Sequence, residues 1–191
     1  AYSLDLIGFG DSDQPGIREI ERLDNGIWSN QVKDFIDQVI KPKNTEKVIL
    51  IGNSLGALVA LTCAVSLENK IFAVIASPLP DKIHKVKPKR FKSRKLKSLK
   101  DKFIYLFFLF FPLEIILFII DNLGIIKVGL RSAYFKKDNI DNELIEIVRK
   151  PVLRKTAARS LRAMCIGMSV RNEKLKASYL LSKLCLSKKV P

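Results

Sequence analysis

The chain has 191 residues, 48 % of them hydrophobic, and a formal net charge of +15. That length supports one sizeable core, and the apolar content excludes an intrinsically disordered chain. The cysteines Cys63, Cys165 and Cys185 form no C-x-x-C pair, which argues against a disulfide framework and a metal knuckle and fits a reducing, cytoplasmic setting. Nothing in the sequence calls for a cofactor.

The opening residues Ala1-Tyr2-Ser3 run into an apolar stretch without a basic region, so no secretory signal is read there. Residues 2–7 are short, apolar and stopped by Gly8-Phe9-Gly10, the pattern of a buried strand ending in a glycine turn. A polar, turn-rich loop follows. From Trp28 the apolar positions Val32, Phe35, Ile36, Val39 and Ile40 recur at helical spacing until Pro42, predicting an amphipathic helix. Residues 47–51 include the continuous run Val48-Ile49-Leu50-Ile51, which suits a parallel strand covered on both faces. Small and apolar residues from Ala57 to Ala64 predict a helix able to lie close to a sheet, and residues 71–76 a further strand. Alternation of strand and helix implies right-handed crossovers and an open parallel sheet of three strands.

Beyond Pro80 the alternation stops. Between residues 82 and 102 there are eleven Lys or Arg against one acid, Asp101. Such a block is either a solvated, self-repelling segment or a contact for anionic lipid headgroups. Phe91 is its one aromatic and no nucleic-acid fold motif accompanies it, so nucleic acid is not expected as a partner. Residues 103–120 are very apolar but carry Pro112 and Glu114 near the middle. Proline breaks a helix, and a carboxylate at the bilayer centre costs about 2.5–3.5 kcal/mol. Two helices touching a membrane surface are preferred here over a transmembrane helix or plain core. Helical patterns near residues 141–149, 156–168 and 173–184 complete a helical lid.

Chemistry is carried by Gly52-Asn53-Ser54-Leu55-Gly56, a G-x-S-x-G match. Such a pentapeptide arises by chance in roughly one chain in twenty of this length, but here it falls between a continuous apolar strand and a small-residue helix, the context the motif needs. At such a turn the serine hydroxyl stands above the sheet edge, and the glycines at 52 and 56 let strand and helix pass. Ser54 is the candidate nucleophile. The backbone N–H of Leu55, at a helix N-terminus, is a candidate oxyanion donor.

With Asp5-Leu6-Ile7-Gly8-Phe9-Gly10-Asp11-Ser12 upstream, the chain resembles the α/β-hydrolase superfamily over about its first eighty residues. The motif, with Arg131-Ser132-Ala133-Tyr134 and Ile166-Gly167-Met168-Ser169, also resembles plastid and cyanobacterial members, a group that includes chlorophyll- and pheophytin-ester hydrolases. The resemblance implies a partial α/β-hydrolase core over residues 1–80 and a helical cap over residues 81–189. It also implies an acyl-enzyme at Ser54 formed from a lipophilic small-molecule ester. Relative to that family, the His-Gly strand and the strands bearing the triad acid and histidine find no counterpart here. Low activity and marginal stability are therefore expected of the chain alone. The sole histidine, His84, lies in the basic run and is not expected to serve as base, and none of Asp81, Asp101, Asp121 and Asp141 is assigned as acid. A non-catalytic membrane-associated protein keeping the elbow as a structural turn is the alternative, and an anionic membrane surface is the second expected partner.

Overall fold

A computed structural model describes residues 1–20, 22–43, 46–81, 94–122, 124–136, 139–187 and 190. In chain order the elements are α1 (Asn25–Phe35), a π-helical turn (Ile36–Ile40), β1 (Val48–Gly52), α2 (Leu55–Ser66), β2 (Ile71–Ala76) and α3 (Arg94–Phe110). They continue with α4 (Leu113–Asn122), α5 (Ile125–Ala133), α6 (Asn142–Arg149), α7 (Ala157–Val170), a 3-10 turn (Glu173–Leu175) and α8 (Ala177–Ser187). They form two compact units, one of Ala1–Arg22 with Lys102–Ile166 and the other of Leu23–Asp101 with Gly167–Pro191.

The second unit is built on a parallel β1–β2 pair joined through α2. The run Ala57 to Ala64 is buried throughout, because small side chains let α2 settle on the sheet while Leu58 and Leu61 fill the space beneath. Full burial of a side chain such as Leu58 contributes about 1.5–3 kcal/mol. Ile36, Ile71, Leu180 and Leu184 close the same core. Asp24 caps α1, its carboxylate accepting from the N–H groups of Gly26 and Ile27. The next residue, Asn25, is buried and spans the unit, its Nδ2 donating to Thr62 Oγ1 at 2.8 Å and to the Leu175 carbonyl at 2.9 Å.

Three sequence expectations change at this point. Residues 2–7 form no strand among the described residues. An apolar run becomes a strand only where a neighbour can take its backbone groups, and the described sheet has two strands instead of three. Among the described residues the β1–β2 pair is covered on one face only: Val48, Leu50, Val74 and Ala76 pack on the core, whereas Ile49, Ile51, Phe72 and Ile75 are exposed. Finally, Val39 is exposed although helical spacing placed it inward. The wider π-helical turn at Ile36–Ile40 rotates it off the core face before Lys41, at φ +47°, ends the helix.

The first unit fastens its N-terminal loop to the segment around α6 and α7. Gly8 and Gly10 adopt positive φ, and a Cβ on Gly10 would overlap the Asp5 carboxylate, which accepts from Asp11 N–H at 2.9 Å. Arg154 then donates to the Ser12 carbonyl and the Asp11 carboxylate at 2.9 and 3.1 Å, and Gln14 Nε2 donates to the Pro151 carbonyl at 3.0 Å. The apolar residues 103–120 are divided by Pro112 into α3 and α4, as expected.

In the second unit, Asp81 forms an ion pair with Arg171, whose side chain is largely buried, and also accepts from Ala177 N–H at 2.9 Å at the start of α8. Burial pushes the Asp81 carboxyl up, but hydrogen bonds from Arg171 and Ala177 outweigh it and hold the group below its ordinary value. A carboxyl with a depressed folded pKa contributes stability fully above its unfolded pKa, about 3.9, and loses it as pH falls through the lower folded value. Asp81→Asn is expected to cost about 2 kcal/mol at neutral pH. Urea titrations of the two chains should converge as the solution is acidified below the ordinary carboxyl range.

Candidate active site

The motif runs from Gly52, the last residue of β1, through Asn53 and Ser54 to Leu55 and Gly56, the first residues of α2. Ser54 lies at φ +50°, ψ −113°, a conformation that a residue with a side chain adopts only at a cost of about 1–3 kcal/mol. It stands at the N-cap position of α2, yet its side chain caps nothing. A capping serine needs extended backbone to fold its hydroxyl over the first turn, as Asp24 and Asp141 do with their carboxylates at φ −135° and −84°. At positive φ the hydroxyl of Ser54 is withheld from its own helix, and the residue is exposed.

Leu55 is the first residue of α2, where no intrahelical acceptor exists for its N–H. The following amide is taken up: Gly56 N–H donates to the Asn53 carbonyl at 2.8 Å. Asn53 Nδ2 in turn donates to the Ser77 carbonyl at 3.2 Å, and Ser77 N–H returns a bond to the Gly52 carbonyl at 3.2 Å. Ser77 was not singled out from sequence. It follows β2 directly, and its signal is positional, since parallel neighbours end side by side at the same sheet edge.

The two glycines are not equivalent. A Cβ on Gly52 would overlap the backbone of Gly56 and Ala57, whereas one on Gly56 would meet nothing within 4 Å among the described residues. The steric requirement expected at both positions therefore falls on Gly52. The one thiol of α2, Cys63, is pushed up to about 11 by burial despite a hydrogen bond from Ser29, and burial also raises Cys165. Burial of this kind disfavours the thiolate, the reactive form of a cysteine.

The acid candidates are dispersed. Asp81 is committed to Arg171 and α8, Asp121 to Arg149, and Asp141 to capping α6 through Leu144 N–H at 2.7 Å, while Asp101 lies on α3. None is brought to Ser54 by a described contact. His84 lies outside the described residues. Gly52→Ala is expected to destabilise the chain by about 1–3 kcal/mol. Gly56→Ala should be neutral or gain up to about 1 kcal/mol from helix propensity; thermal melts of the two variants read the difference.

No curated protein matches the chain. Among solved structures, a thermophilic esterase from Thermogutta terrifontis superposes with a TM-score of 0.50 at 15 % identity, over 98 % of this chain. The chain spans 66 % of that esterase's length, and at this identity the likeness shows the fold alone. The family described as serine aminopeptidase, S33, matches residues 1–107, more than half of the 191 residues. With the α/β-hydrolase fold and a G-x-S-x-G elbow between β1 and α2, the chain belongs to this serine aminopeptidase S33 family.

Proposed function

We propose that the chain carries the nucleophile half of a serine hydrolase whose substrate is a lipophilic ester, with Ser54 as nucleophile. The observation behind this is the backbone of Ser54: a serine held at φ +50° on a strand-to-helix turn, its hydroxyl unused by the helix it starts. Strain of this kind persists where the position does more than turn the chain. The Ser54 Oγ would attack the ester carbonyl carbon, the Leu55 N–H would donate to the oxyanion, and the alcohol would leave with a proton. Water would then release the acid from the acyl-enzyme.

The hydroxyl needs a base to take its proton, and the 191 residues hold one histidine, His84, in a run of lysines and arginines. The chain by itself is accordingly a slow catalyst. The lipophilic class draws on the resemblance to chlorophyll- and pheophytin-ester hydrolases and on the apolar residues 103–120.

A fluorophosphonate probe should label the chain slowly, imidazole supplied as an external base should accelerate the reaction, and Ser54→Ala should abolish it. Equal labelling of parent and Ser54→Ala, with and without imidazole, would leave the elbow a structural turn. Relief of strain gives a second readout: Ser54→Gly should raise the unfolding free energy by about 1 kcal/mol, whereas Ser54→Ala should not.

A further inference from the structure

The α3–α4 pair presents an apolar surface that no described residue covers. On α3, Phe103, Phe107 and Phe110 recur at helical spacing on one exposed face, and on α4, Ile115, Phe118 and Ile119 do the same. Phe103 is 70 % exposed, Phe110 79 % and Phe118 67 %. In a core helix such a stripe would face inward, and large contiguous apolar patches on a protein surface mark interaction sites.

The opposite side of the pair is fastened. Arg162 of α7 donates through Nε to the Phe108 carbonyl at 2.8 Å and through Nη2 to the Phe111 carbonyl at 3.2 Å, and it pairs with Glu114 at 3.0 Å. Arg162 thus binds the carbonyls freed at the Pro112 break and neutralises the carboxylate inside the apolar stretch. Leu113, at the same break, is buried. The apolar stripe is therefore the outer face of an anchored pair.

What the stripe meets is indicated by its charge. Lys100 and Lys102 are exposed on α3 itself, and the sequence leading into the stripe carries eleven Lys or Arg between residues 82 and 102. The acids of the pair are largely accounted for, Glu114 with Arg162 and Asp121 with Arg149. Among the described residues no single helix is long and apolar enough to cross a membrane; residues 98–110 of α3 and α4 pass that test only together, and they are bent by 52° at their break. A bent pair whose two helices each expose apolar side chains, with Lys100 and Lys102 exposed on the first of them, has the chemistry of an in-plane anchor.

We infer that the α3–α4 pair docks on one leaflet of an anionic lipid bilayer, inserting its exposed aromatic residues while Lys100 and Lys102 meet the headgroups. Docking is independent of the chemistry at Ser54, so Ser54→Ala binds as the parent does.

Flotation of the whole chain with vesicles tests it. Vesicles of phosphatidylcholine mixed with phosphatidylglycerol should carry on the order of tenfold more protein than phosphatidylcholine alone. The triple variant Phe103→Ser, Phe110→Ser, Phe118→Ser changes only exposed side chains and should reduce flotation on the order of tenfold or more while keeping its circular dichroism and melt. An alkaline carbonate wash should release the bound chain. Equal recovery on the two vesicle types, or flotation unchanged in the triple variant, overturns the inference. So does retention through the carbonate wash, the behaviour of a spanning segment. So, too, does sedimentation of a lipid-free dimer that the triple variant disperses, since the stripe would then join two copies. The comparison of vesicle types needs no variant and stands if the substituted chain fails to fold.

Discussion

In the second unit β1 and α2 cross so closely at Gly52 that no side chain fits there, and much else follows from it. With no side chain at Gly52, the strand can end against the carbonyl of Gly56. Only then can α2 lie near enough to bury its small residues on β1 and β2, and only then does the chain between them have two residues in which to reverse. That shortness drives Ser54 to positive φ and takes its hydroxyl away from the helix. The steric constraint at one glycine thus shapes the core and exposes the serine at once.

Arginines hold the first unit together where apolar packing is thin. Arg154 ties the N-terminal loop to the turn before α7, Arg149 pairs with Asp121, and Arg162 caps the carbonyls at the Pro112 break. Each joins elements distant in the chain through a guanidinium that can serve two or three acceptors in fixed geometry. The outward face of α3 and α4 can consequently remain apolar without the pair coming loose.

The parts that could be read in the sequence are those set by local pattern. The continuous apolar run of residues 48–51, the small residues after Gly56 and the break at Pro112 each dictate an element by their own chemistry, and the elbow lies at the junction of the first two. The failures concern what covers an element. Residues 2–7 have a strand's composition, but composition does not supply a partner strand, and none is present among the described residues. The Ile49, Ile51 run looked buried on both sides for the same reason. Arg162 was invisible because its meaning lies 48 residues away at Glu114. Asp81, weighed as a catalytic acid, is a structural ion pair whose partner stands 90 residues on.

The interleaving of the two units governs when they can close. The stretch from β1 through α2 to β2 is local, a compact crossover that can form as soon as it exists. The bonds that complete its core are not: Asn25 waits for Leu175, 150 residues later, and Asp81 waits for Ala177, 96 residues later. The N-terminal loop likewise waits for Arg154, 142 residues beyond Ser12. During synthesis from the N-terminus, both units stay open until most of the chain has emerged. The order of emergence therefore leaves the nascent core and the aromatic stripe exposed together, and the apolar surface of this chain first meets the cell before either unit is finished.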